Sequence, residues 1–353
     1  MPSPLPEKYT KIVLAERPTG DIVPDKTFRI EKNEHSIRDL EPGEKQVLVR
    51  VQYLSLDPAM RSWLNDRRNY MPPVQIGEVM RAEGLGVVVR AGKDSKFSVG
   101  QTVKGAFGWT DWAKMDDKLV RLQVPPEGGE LIDFLGPFGS VGMTAYFGFF
   151  DIGKPKAGEV LVVSGAAGAT GSIVCQLGVL SGLTVYAIAG SKDKCEWLEK
   201  ELGVTKALNY KDADFYDQFK KTIDYFDVYF DNVGGEILNF ALTRMKQNAR
   251  IVLCGAISDY NNTAPKGLTG YMNLISQRGT LQGFIVFDYI NRYSEAQEEI
   301  AKWVKEGKLK RKFHIVDGLE NAPATLPLLY NGGNTGKLVI RVHKDEDVVS
   351  ANL

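Results

Sequence analysis

Along the first 115 residues, apolar positions fall in short β-branched runs broken by Gly, Pro and Asp, without a helical repeat. KIVLAE (11–16), KQVLVRVQYLSL (45–56) and GLGVVVRAG (84–92) read as strands. TVKGAFGWTDWAKM (102–115) continues the style with aromatics and glycines alternating. Such a series predicts a small barrel or sandwich.

From Gly158 the pattern changes to strand, Gly-rich turn, helix. GEVLVVSG (158–165), TVYAIAG (184–190), KALNY (206–210), DVYFDNVGG (227–235) and ARIVLCG (249–255) predict buried strands and their turns. SIVCQLGVLSG (172–182), KDKCEWLEKELG (192–203) and EILNFALTRM (236–245) predict the helices between them. Near-continuous apolar strands alternating with helices indicate an α/β, doubly wound parallel sheet. After about residue 314 the first style returns, with a Gly/Asn turn and a closing strand, KLVIRV. The expected division is one β-rich module from 1–140 and 315–353, enclosing a nucleotide-binding domain at 141–314.

Charge alters this picture only by exclusion. Lys plus Arg and Asp plus Glu are 44 each, so no single-sign field draws in nucleic acid or an anionic membrane. No run of about eighteen apolar residues occurs, nor a signal-like stretch near the start, and a cytoplasmic protein is expected. Cys175, Cys195 and Cys254, like His35, His314 and His343, are scattered, with no C-x-x-C or H-x-x-x-H spacing. Neither a zinc site nor a Cys–His nucleophile is expected from that donor set.

Chemistry enters at Gly165-Ala166-Ala167-Gly168-Ala169-Thr170-Gly171, between a predicted strand and helix. Small residues there let the main chain approach a pyrophosphate at a helix N-terminus. The next strand ends in Gly190 rather than an acid, followed by Ser191, Lys192, Asp193 and Lys194. A glycine leaves room for a 2′-phosphate and the lysines offer counter-charge, which favours NADPH over NADH. Asp193, which could face a ribose, and a merely solvated helix start are the opposing readings.

Taken together, LSLDPAMR (54–61), SGAAGATGS (164–172), YFDNVGGE (229–236), CGAISDYN (254–261) and NTGKL (334–338) resemble the prostaglandin reductase and plant double-bond reductase branch of the medium-chain dehydrogenase/reductase superfamily. The resemblance covers essentially the whole chain. It implies a GroES-like catalytic domain, a Rossmann domain, NADPH, no zinc and a homodimer. It also implies that Gly168, Ala169, Thr170 and Gly171 line the pyrophosphate, that Lys194 and Tyr210 meet the 2′-phosphate, and that Asn232 lies at the ribose. Cys254, Ser258 and Tyr260 would run from adenine towards nicotinamide. Phe284, Ile285 and Val286 would offer main-chain contacts to the carboxamide, with Asn334 nearby. Two positions depart from the branch: Ala59 stands where tyrosine is common, leaving the substrate open, and Thr170 where valine is commoner.

The implied activity is hydride delivery to the carbon–carbon double bond of an enal or enone, a small-molecule substrate. The enolate so formed needs a hydrogen-bond donor. Tyr260 is the first candidate, directly or through a ribose hydroxyl, and Tyr53 the second. Phe107, Trp109, Tyr146, Phe287 and Tyr289 crowd pocket-forming segments without assignable roles. A quinone reductase and a non-catalytic nucleotide binder remain the alternatives.

Overall fold

The computed structural model describes residues 5–344, so the outermost parts of the expected first module, 1–4 and 345–353, lie outside the described residues. Strands β1 (Lys8–Leu14) and β2 (Phe28–Ser36) form an antiparallel pair. They are followed by β3 (Gln46–Ser55), β4 (Gly84–Ala91), β5 (Thr102–Gly105), β6 (Trp112–Asp116) and β7 (Val120–Leu122). The segment read as one run at 102–115 is thus two strands, parted by a turn in which Gly108 takes φ 77°. β2 escapes the apolar pattern because only Phe28 of FRIEKNEHS is buried.

The middle of the chain lays down β8 (Val160–Val163), β9 (Thr184–Ala189), β10 (Lys206–Asn209), β11 (Phe226–Asp231), β12 (Met245–Leu253) and β13 (Thr280–Gly283). All pair in parallel, in the order β10-β9-β8-β11-β12-β13. Alternate residues face opposite layers: Leu161 and Val163 join one core, and Val162 between them joins another. Both sheet faces are therefore covered, which explains why these strands read as unbroken apolar runs.

Local signals set the helices. In Lys192–Leu202, the Ser191 hydroxyl accepts from the Lys194 N–H at the start, and Gly203, at φ 72°, closes the end. The helix expected at 236–245 stops at Ala241; a 3₁₀ turn, Leu242–Arg244, then delivers Met245 directly into β12.

β14 (Phe313–Asp317) and β15 (Lys337–Arg341) return to the first module, giving the order β14-β15-β3-β4-β5-β7 with β6 on β3. Its core, around Ile12, Val49, Met60, Trp109 and Ile340, is separate from the two sheet-face cores. Tyr53, Leu85 and Val339 instead join the nucleotide-domain core, so the two modules share buried surface. Among the described residues no helix is long and apolar enough to cross a membrane.

Candidate active site

The strand order reverses between β8 and β11, and ligands of open parallel sheets sit outside the carboxyl ends of the strands at that point. The residues singled out in the sequence gather along this edge. The glycine loop follows β8, Gly190 and Lys194 follow β9, and Tyr210 follows β10. Asn232 follows β11, the 254–260 segment follows β12, and Phe284, Ile285 and Val286 follow β13. The carboxyl end of one sheet collects these, while Tyr53 and Asn334 belong to the first module.

Beyond β8 the helix Ala169–Leu180 begins inside the glycine loop, three residues earlier than its apolar pattern indicates. Gly168 is its N-cap and supplies no side-chain hydrogen bond, so the N–H groups of Ala169, Thr170 and Gly171 open towards the loop. A Cβ on Gly171 would stand 2.4 Å from the Gly165 oxygen and 2.9 Å from the Ala166 Cα. Only glycine permits that approach of helix to turn. The result is an open anion cradle.

The 2′-phosphate end is decided by Gly190. A Cβ there would lie 2.8 Å from the Tyr210 ring, so the acid that would bond an NAD ribose cannot be seated without displacing Tyr210. Lys194, half-buried, donates to the Gly332 carbonyl at 2.8 Å. Burial first, and the Lys211 charge second, lower its proton affinity. Small-residue loop, uncapped helix and cationic rim together fit a phosphorylated dinucleotide.

At the switch point Asp231 is fully buried. It accepts from the Ser164 hydroxyl at 2.7 Å and from the Gly234 N–H at 2.9 Å, and burial raises its pKa. Asn232 donates to the Ser164 carbonyl at 2.7 Å, lacing β8 to β11. Ser258 donates to the Val233 carbonyl at 2.7 Å, and the Cys254 N–H donates to the Asp231 carbonyl at 2.9 Å. Burial pushes the Cys254 thiol up to about 12, so it stays protonated and inert. Asn334 donates to the Gly336 carbonyl at 3.0 Å; the Gly336 N–H in turn holds the Ala167 carbonyl at 2.8 Å, pinning the glycine loop to the first module.

At the reaction end, the Tyr260 oxygen accepts from the Ala256 N–H at 3.2 Å and lies 3.1 Å from where a Cβ on Gly255 would stand. Burial raises its pKa, with Cys254, Tyr70 and Asp231 also bearing on it. Among the described residues nothing accepts its proton, which is left to donate. Tyr330 donates to the Pro58 carbonyl at 3.1 Å, and burial raises its pKa, with Tyr260 and Asp57 among its electrostatic neighbours. The Tyr70 hydroxyl accepts from the Trp63 indole N–H at 3.3 Å, and its ring stands 6.2 Å from that of Phe287. An open cavity of about 520 Å³, lined by residues 66–73, adjoins it.

Asp57 anchors this end. It takes a hydrogen bond from Ser55 and another from the buried Lys337 ammonium at 2.6 Å, while Lys337 also donates to the Leu56 carbonyl at 2.9 Å. Buried Arg61 holds the Pro18 and Gly20 carbonyls at 3.1 and 2.9 Å, and in the same turn Asp21 accepts from Asn261, next to Tyr260, at 2.9 Å. Tyr53 is seated differently: buried on β3 among Leu85, Phe134 and Val339, it engages the Arg341 guanidinium. The structure brings Tyr70 and Tyr330 into the electrostatic neighbourhood of Tyr260. Sequence reading missed both. Tyr330 lies in a tail read for a turn, a motif and a closing strand but not for this residue, and Tyr70 in a loop without periodicity.

Phe284 occupies space that a side chain at Gly148 would fill, its ring 2.5 Å from that position. The Ile285 carbonyl accepts from the Asp288 N–H at 3.1 Å and that of Val286 from Tyr293 at 3.3 Å. Among the described residues no three His, Cys, Asp or Glu side chains are grouped to hold a metal ion.

Two family models match the chain: "N-terminal domain of oxidoreductase" over residues 10–122 and "Zinc-binding dehydrogenase" over 169–302. The NADPH-dependent curcumin reductase of Escherichia coli is 41% identical over 348 residues, 96% of this chain and 99% of that protein. The NADP(+)-dependent 2-alkenal reductase of Nicotiana tabacum is 36% identical over 306 residues, covering 86% and 89%. The crystal structure of CurA from Vibrio vulnificus in complex with NADPH superposes with a TM-score of 0.87 at 37% identity, over 95% of this chain and 99% of that one.

Proposed function

The chain belongs to the medium-chain dehydrogenase/reductase superfamily, in its zinc-free double-bond reductase branch, and on that premise we propose that it reduces the carbon–carbon double bond of α,β-unsaturated aldehydes and ketones. NADPH is the cofactor, and when bound it supplies the hydride. The glycine cradle after β8, Lys194 and Tyr210 would hold its phosphates, and the segments after β12 and β13 its nicotinamide half.

The observation that carries this reading is the protonated Tyr260 phenol, fixed by the Ala256 N–H at the carboxyl end of β12. Its free proton would hydrogen-bond the carbonyl oxygen of the substrate as negative charge gathers there. A donor held in place before the reaction needs no reorganisation during it, and one such donor contributes about two to three orders of magnitude in turnover. Tyr330 and Tyr70 wall the oxygen's surroundings, and the Tyr70–Phe287 pair offers the apolar body of the substrate an aromatic face.

A homodimer is supported by the open edge of the sheet. β13 has a strand on one side only, and Tyr271, Met272 and Ile275, just before it in the chain, are 57%, 65% and 75% exposed. Such an apolar margin is costly unless covered.

The test is NADPH consumption with an enal, an enone and a quinone in parallel. Turnover of the first two exceeding that of the quinone is expected. Preferential quinone turnover would make the chain a quinone reductase, and tight NADPH binding without turnover of any substrate would make it a binder.

A further inference from the structure

We propose that Lys211 is the second cation of the 2′-phosphate site, sharing that dianion with Lys194 and setting the preference for NADPH over NADH. The inference rests on the reading of NADPH as cofactor and names a residue that motif and resemblance leave unassigned.

The lysines around this corner differ in how their charge is answered. Lys192 and Lys200 pair with Glu196, Lys206 with Glu199, and Lys310 with Glu201. Lys194 and Lys211 have no carboxylate partner among the described residues. Lys194 spends one N–H on the Gly332 carbonyl and keeps two. Lys211 places its ammonium 5.9 Å from the centroid of the Tyr210 ring, the ring that closes over Gly190.

The chain holds Lys211 there by local means. The Tyr210 N–H donates to the Ala189 carbonyl at 3.0 Å, continuing the β9–β10 pairing. Asn209 then accepts from the Lys211 N–H at 3.2 Å and donates to Asp212 at 2.6 Å, a turn that fixes the main chain beneath the lysine. Lys194 sits at the start of the helix after β9 and Lys211 just past β10, on either side of the Tyr210–Gly190 contact, and the Lys211 charge adds to burial in lowering the proton affinity of Lys194. Two like charges brought together without a counter-ion are unfavourable until an anion lies between them. A phosphomonoester near its second pKa of about 6 supplies up to two negative charges, one for each lysine.

Direct binding of NADPH and of NADH is measured by calorimetric titration on the parent, Lys211→Gln, Lys211→Arg, Lys194→Gln and the double variant. Lys211 is exposed, so folding is expected to survive its replacement, and thermal melting checks this. Lys211→Gln is expected to weaken NADPH about five- to thirtyfold, the size of one charge-assisted contact, with NADH within about twofold. Lys211→Arg, which keeps the charge, is expected to restore most of the loss. The pH profile gives a second readout. Two cations lower the phosphate pKa in the complex, so NADPH affinity falls as pH drops through about 6, and Lys211→Gln is expected to flatten that fall. If Lys194→Gln discriminates between the cofactors while Lys211→Gln weakens both equally or neither, Lys211 has no such role and the NADPH reading stands. If neither lysine discriminates, the phosphate site itself is misplaced and both fail.

Discussion

The phosphate end of the cleft is built from neighbours in the chain, whereas its reaction end is built from strangers. Gly168, Gly171, Gly190, Lys194 and Tyr210 come from three successive strand–turn–helix units, each placed by the strand before it. Asp57, Tyr70, Tyr330 and Lys337 come from separate segments of the first module and Tyr260 from the second, so this end is complete only where the two modules meet. At the phosphate end main chain and the absence of side chains make the cradle, with lysines at its rim. At the reaction end the decisive contacts are phenols, one buried ion pair and an arginine bracing a turn. A local motif fixes a binding surface; an arrangement of hydroxyls takes the topology of the whole fold.

This contrast ranks the expected effects of substitution. The largest belongs to Tyr260→Phe, which keeps the ring and removes the donor. Turnover on an enone is expected to fall about 100- to 1,000-fold, or roughly 3–4 kcal/mol of barrier, with the NADPH dissociation constant almost unchanged. Turnover within about twofold of the parent would pass the donor's role to Tyr53 or a water.

Next comes Lys337→Met, which strands Asp57. Removing one partner of a buried pair costs about 3–5 kcal/mol, and because Asp57 retains 30% of its side-chain exposure a loss of about 2–3 kcal/mol is expected in denaturant unfolding. Equal stability would show that the pair does not brace this end.

Lys194→Ala acts at the other end. NADPH is expected to bind about tenfold more weakly, close to 1.4 kcal/mol, while turnover at saturating NADPH holds and NADH binding is unaffected. Equal losses for both cofactors would remove Lys194 from the phosphate. Thr170→Val is the smallest, expected within about twofold in NADPH affinity, since the main-chain N–H serves either way.

Legibility in the sequence followed the same division. The parallel sheet showed because its strands are buried on both faces, and the cofactor loop because glycine is demanded by a 2.4 Å approach. β2 did not show, since its exposed face erases the alternation. Tyr70 and Tyr330 did not show because one lies in a loop and the other in a four-residue helix, Leu328–Asn331, neither long enough to carry a spacing signal, and only the fold brings them towards Tyr260. Tyr53, the second candidate donor, is buried in the core that the two modules share and meets Arg341.

The central claim is hydride addition to carbon, and isotope transfer tests it most directly. The protein is supplied with NADPH carrying deuterium at the reactive position of the nicotinamide, together with an enone, and the product is read by NMR. Deuterium on the β-carbon of a saturated ketone is the predicted result. Deuterium on the carbinol carbon of an allylic alcohol would show reduction of the carbonyl and contradict the account.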